Sequence, residues 1–121
     1  MACKQYQNSM VNTLVIVLIN VWIPHKQAPK AGKLFIELMK KFPRDRTLAK
    51  TLLDNAVAAK KDGYQIISAV EIKDGKLKEY TAYLNKSLIW AAENLEGYKY
   101  EVEILSSITE AMAVLGLESP V

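Results

Sequence analysis

The run VNTLVIVLINVWI, from Val11 to Ile23, constrains this chain more than any other feature, because it is apolar in both of its alternating sets and stops at Pro24. The even positions are Leu14, Ile16, Leu18, Asn20 and Trp22, and the odd ones are Val15, Val17, Ile19, Val21 and Ile23. Neither set suits water, so a strand made of this run needs cover on both faces. Val15, Ile16, Val17, Ile19, Val21 and Ile23 are β-branched, which favours a pleated strand over a helix. Lys4 ahead of the run imitates the start of a signal peptide, but Asn12 and Asn20 interrupt the apolar core and no A-x-A pair follows it. A spanning helix needs about 20 apolar residues, more than lie between Val11 and Pro24. The run therefore predicts a central strand, and a chain that is neither exported nor membrane-anchored.

Half of the 121 residues are apolar and about a quarter charged, the balance of one domain with a single core. Its expected bounds are 11–117, with residues 1–10 an N-terminal extension, Met10 a second candidate start, and 118–121 a tail. The one cysteine, Cys3, can form no internal disulfide, so nothing points to an oxidising compartment and a cytoplasmic location is expected. The formal charge of +3 is spread along the chain, and only Lys40, Lys41, Arg44 and Arg46 form a local basic group. A nucleic-acid footprint would need a longer basic stripe with aromatic platforms, and the two apolar strands offer only Trp22 and Tyr64.

The remaining segments alternate in type. APKAGKLFIELMKKFP reads as a helix opened by Pro29 and closed before Pro43, with Leu34, Phe35, Leu38, Met39 and Phe42 at helical spacing. In RDRTLAKTLLDNAVAAKKDG, helical composition competes with a hairpin outline; a short helical turn over Leu48–Leu53 and a strand over Ala56–Lys60 are expected. YQIISAVEI is a second apolar strand. Leu77, Tyr80, Leu84, Leu88, Ala91, Ala92 and Leu95 then mark one helical stripe, closed by Gly97. In YKYEVEIL, Tyr98, Tyr100, Val102 and Ile104 face one way and Lys99, Glu101 and Glu103 the other. Thr109 is the expected N-cap of a last short helix stopped by Gly116.

The order β-α-β-β-α-β plus a helix is the α+β, ferredoxin-like arrangement, with strands one and three central and the lysine- and glutamate-bearing strands two and four at the edges. Its helices cover one face of an antiparallel sheet. The other face, still apolar, predicts a homodimer or higher oligomer joined through the sheets.

The segments WIPHKQAPKAGKL, KKFPRD, KDGYQIISAVEIKDGKLKEY, GYKYEVEIL and EAMAVLGL resemble those of small, uncharacterised, mainly archaeal proteins of the dimeric α+β barrel superfamily, over nearly all of Met10 to Leu117. The resemblance implies the fold and the dimer. The superfamily includes small monooxygenases, ligand-sensing domains and proteins with no assigned activity, and no catalytic residue carries over.

Among residues that could carry chemistry, one His and one Cys cannot supply a usual zinc or iron cluster, and no nucleophile elbow, phosphate loop or dinucleotide fingerprint occurs, so no metal or cofactor is expected. His25 follows a central strand and a Pro, where an imidazole could act as proton acceptor or simply sit on a surface loop. Asn20 and Trp22 share a face of that strand, and the amide requires a hydrogen-bond partner, a water or a ligand. Glu71 ends the other central strand, either as a perturbed carboxylate or as a solvent-facing residue. Tyr80, Tyr83, Tyr98 and Tyr100 with Trp90 could line a pocket between the second helix and the sheet, or form core and rim. Two functions fit: a dimeric module that binds a small apolar ligand or serves assembly, or a cofactor-independent enzyme of monooxygenase or isomerase kind. The second would use His25 as proton acceptor beside Asn20 and Trp22, on a small apolar or aromatic substrate.

Overall fold

Pleating of the opening run gives β1, Val15–Pro24, and β1 lies inside the sheet. The computed structural model describes residues 14–118; Cys3, Met10, the extension over 1–10 and the start of the apolar run lie outside the described residues. After a 3-10 turn at His25–Gln27 come α1 (Ala28–Lys41), β2 (Ala49–Lys60), β3 (Gly63–Ile72), α2 (Leu77–Asn94), β4 (Lys99–Ser106) and α3 (Ile108–Val114). The strand order is β2-β3-β1-β4, with every pair antiparallel. This is the ferredoxin-like α+β fold, with the two apolar strands central and the charged ones at the edges.

Register divides the sheet into two unlike faces. Val17, Ile19, Val21 and Ile23 of β1 are buried with Val70 and Ile72 of β3 against Tyr80, Leu84, Leu88 and Leu95, from α2 and the residue after it. Burial of these side chains, each worth roughly 1.5–3 kcal/mol for the larger aliphatics, is the main stabilisation of the fold. The long helices differ in how closely they meet the sheet: α2 contributes five buried residues, α1 none. The end of α1 is nonetheless pinned to α2, because the Tyr83 hydroxyl donates to the Phe42 carbonyl at 3.2 Å and Phe42 meets Trp90 edge-on at 6.2 Å.

On the other face, Ile16, Leu18, Asn20 and Trp22 lie beside Glu71, Ala69, Ile67 and Gln65 of β3, and beside Leu105, Glu103, Glu101 and Lys99 of β4. Its centre is apolar and its β4 border carries two glutamates. Trp22 and Leu105 are more than a third exposed.

Three local expectations are corrected. No helical turn forms over Leu48–Leu53: β2 starts at Ala49 and pairs with β3 on both sides of an irregular stretch near Leu53, so the open edge of β3 outweighs the helical preference of Ala, Leu and Lys. Register shifts on both sides of Leu53, with Asn55 at φ 44°, break the alternation by which the strand would have been seen. The last helix is capped by Ser107 rather than Thr109, its hydroxyl accepting from the Glu110 amide at 3.1 Å. Finally, α2 stops at Asn94, ahead of Gly97, because Leu95 turns extended to bury its side chain.

Candidate functional site

Because α2 sits tightly on the sheet and α1 stands off it, a cleft of about 910 Å³ opens between the helices and the inner face of β1, β2 and β3. That size is within the range of small-molecule sites. Its walls are mostly apolar: Ile19, Val21 and Ile23 from β1, Ile66 and Val70 from β3, and Leu34 and Leu38 from α1 supply much of them. It is long as well as wide. Tyr64 and Val70 both line it, and six residues of β3 span roughly 20 Å.

The polar groups of the cleft come from three places. Tyr80 and Tyr83 on α2 and Tyr98 before β4 present phenols to it. Burial pushes Tyr80 and Tyr98 up to about 12 and raises Tyr83 as well, so all three are neutral hydrogen-bond donors near neutral pH. Tyr80 is only 7% exposed, and its hydroxyl makes no hydrogen bond to any of the described residues.

The second group is built on the irregular part of β2. Ser68 on β3 faces the segment between Leu53 and Ala56, where the ladder is broken. Its hydroxyl donates to Asn55 Oδ1 at 3.1 Å and accepts from the Asn55 amide at 3.2 Å, which stabilises the left-handed backbone there. Asn55 Nδ2 donates in turn to Asp54 Oδ1 at 2.8 Å. Asp54 takes both terminal nitrogens of Arg44, one at 3.1 Å, in a bidentate pair. The Arg44 guanidinium holds the Asp54 carboxyl below its ordinary range, and hydrogen bonds from the Thr47 hydroxyl and amide do the same for Asp45.

The third group is a set of cations at one end of the cleft, Arg44, Arg46 and Lys73. Among the described residues no group of three or more metal-ligating side chains occurs.

The residues singled out in the sequence lie elsewhere. Asn20, Trp22 and Glu71 share one face of the sheet, the one turned away from the cleft, but Glu71 lies opposite Ile16, at the far end of β1 from Trp22. Asn20 is buried, and its Oδ1 accepts from Gln65 Nε2 at 2.9 Å, so its amide oxygen has a partner within the sheet. His25 stands at the end of β1, where Nε2 donates to the carbonyls of Lys60 and Lys61 at 2.9 and 3.3 Å, and its ring meets Tyr64 edge-on at 5.1 Å. That clasp ties the β1 end to the β2–β3 turn, and His25 does not line the cleft. Of the aromatic set, Tyr80, Tyr83 and Tyr98 line it; Tyr100 and Trp90 do not.

Sequence reasoning missed Arg44, Asp54, Asn55 and Ser68 as a group. The available signal was Asp54-Asn55 inside an otherwise apolar stretch, two turn-favouring residues that mark an irregular strand. Arg46 and Lys73 were missed because they join only when the start of β2 meets the end of β3.

No protein-family model and no curated protein matches the chain. Among solved structures, a dimeric ferredoxin-like protein from an uncultured marine organism is 14% identical, with 78% of this chain and 95% of that one covered and a TM-score of 0.54. A dimeric ferredoxin-like protein of unknown function from Thermobifida fusca YX is 15% identical over 76% of this chain and 92% of that one (TM-score 0.43). A proposed antibiotic biosynthesis monooxygenase from Caulobacter crescentus CB15 is 13% identical over 84% and 97% (TM-score 0.44). The likeness to the marine protein is one of fold, and it agrees with the order of strands and helices found here.

Proposed function

We propose that this protein is a cytoplasmic homodimer that binds a small, largely apolar ligand in the cleft between its helices and its sheet. The observation that carries the reading is the cleft itself: about 910 Å³, walled by aliphatic side chains, with a small number of oriented polar groups. A monomer of this size gains more from closing α1 onto the sheet than from leaving such a volume, unless something fills it. The second copy is assigned to the opposite face, where Ile16, Leu18, Trp22, Ile67 and Leu105 present an apolar centre. Asn20, Trp22 and Glu71 then belong to the surface between copies.

The alternative of a cofactor-independent enzyme with His25 as proton acceptor draws no support from the geometry, since Nε2 is held as a donor by two carbonyls outside the cleft. Binding is tested with Nile red, a neutral apolar fluorophore. Saturable, blue-shifted binding is expected, weakened at least tenfold by Ile66→Trp, which fills the cleft, and unchanged by Lys86→Glu on the exposed side of α2. Absence of saturable binding, or loss on Lys86→Glu alone, overturns the reading.

A further inference from the structure

The cleft is electrically lopsided along its length. At one end the chain leaves α1, enters β2, leaves β3 and enters α2, and these four points are drawn together by the Ala49–Ile72 pairing and by the Lys73 amide donating to the Leu48 carbonyl at 2.9 Å. Three cations (Arg44, Arg46 and Lys73) line this end, against two carboxylates, Asp45 and Asp54, while Lys50 lies opposite Glu71 in the strand register, on the outer face. Both carboxylates already have partners: Thr47 donates to Asp45, and Arg44 and Asn55 donate to Asp54. Arg46 and Lys73 form no ion pair among the described residues. At the other end the lining is Ile23, Ala28, Ala31 and Leu95, with the Tyr64 and Tyr98 rings and no charged side chain.

We propose that the ligand is an amphipathic carboxylate, its apolar chain or ring lying along the cleft and its carboxylate held at the cation end by Arg46, Lys73 and the Tyr80 hydroxyl. This rests on the reading of the cleft as a ligand site and names the chemical class that fits it. The sign of the head follows from the excess of cations at this end, Arg44, Arg46 and Lys73 against Asp45 and Asp54, with only Arg44 committed to an ion pair among the described residues. A guanidinium fork matches the two oxygens of a carboxylate, and the ammonium of Lys73 adds a mobile point charge. Tyr80 supplies the remaining donor: a ring buried against the core whose hydroxyl has no partner among the described residues. A neutral apolar ligand would leave these groups unused, and a cationic one would meet two positive charges that have no ion-pair partner among the described residues. An anion on the far side would find no donor but the two phenols.

The test is displacement of Nile red by decanoate, decanol and decylammonium, equal in chain length and different in head, at neutral pH and low salt. Decanoate is expected to bind at least tenfold more tightly than decanol, the scale of a charge-assisted hydrogen-bond pair, and decylammonium more weakly than both. In the Arg46→Ala/Lys73→Ala double variant, two exposed positions whose change spares the core, the preference for decanoate over decanol should fall to within about twofold. Tyr80→Phe should lower it by a few fold. Equal binding of decanoate and decanol, or a preference for decylammonium, overturns the carboxylate assignment while Nile red binding keeps the cleft as a site. Displacement by none of the three also overturns it; failure of Nile red itself to bind removes the site and the assignment together.

Discussion

Gly63 shows how one residue can be required by its surroundings rather than by its own element. It opens β3 at φ 154°, and a Cβ there would stand 2.2 Å from the Ile23 carbonyl oxygen. That oxygen belongs to the β1 backbone and cannot move aside. Gly63→Ala is expected to cost about 2–4 kcal/mol, the sum of backbone strain and overpacking, read as a lower urea midpoint with an unchanged slope. The tyrosines make a second statement at this scale. In the folded protein Tyr80 and Tyr98 keep their protons up to about 12, whereas an unfolded chain releases them near 10. Their contribution is therefore complete below pH 10 and is lost as the pH rises toward 12. Urea midpoints should fall across that window, and Tyr98→Phe should flatten the fall. A midpoint that stays level between pH 10 and 12 contradicts the burial of these phenols.

Among the elements, α1 and α2 have similar outlines in sequence and different positions in the fold. Both carry apolar residues at helical spacing. The apolar stripe of α2 packs into Val17, Val21 and Ile72, while α1 meets the core only through partly buried Ala31 and Leu34 and otherwise looks across the cleft. With no fully buried residue, α1 is held by the partly buried Ala31 and Leu34 against the core, by its own backbone bonds and by its pinned end at Phe42. Amides in Ala28–Lys41 are therefore expected to exchange with solvent well before those of Leu77–Asn94, by an order of magnitude or more. Saturation with decanoate should slow α1 selectively. Equal protection of the two helices in the free protein would mean that α1 is closed onto the sheet. In β2 the comparable irregularity serves placement: the break near Leu53 aims Asp54 and Asn55 at Arg44 and Ser68, which a regular strand would have kept apart.

For the whole molecule, the decisive quantity is the apolar centre of the outer sheet face. Leu18 and Ile67 lie there with Trp22, and a solvated β-sheet face normally alternates to polar residues. If a second copy covers it, Leu18→Glu places a carboxylate in the middle of the interface, beside the existing Glu103 of β4. Sedimentation of the unaltered protein at micromolar concentration should give twice the chain mass, and the Leu18→Glu variant should give a single chain that remains folded by circular dichroism. A single chain for both would assign the face to some other cover.

Much of this architecture was legible in the sequence, for a local reason. Two-sided hydrophobicity marked β1 and β3 as central, charged alternation marked β4 as an edge, and Pro24, Pro43, Gly75 and Gly116 marked where elements stop, whereas Gly32 lies inside α1. Those signals are carried by residues adjacent in the chain, and the strand order followed from them. β2 was legible only in part, because two register shifts scrambled its period and its helix-forming composition suggested a turn that pairing with β3 overrides. Legibility of the candidate site was lower still. Tyr80, Tyr83 and Tyr98 could be seen as pocket-lining candidates from their spacing along α2 and β4. His25 and Asn20 stood out by type, yet the fold gives one a clasp on the β2–β3 turn and the other a partner in Gln65. What the sequence by itself determined is the set of elements and which of their faces avoid water. Only the tertiary structure decided that α1 stands away from the sheet, and that Arg44, Arg46 and Lys73 gather at one end of the resulting cleft. Those facts depend on how far apart two layers pack and on contacts between residues distant in the chain, neither of which leaves a periodic trace in the order of amino acids.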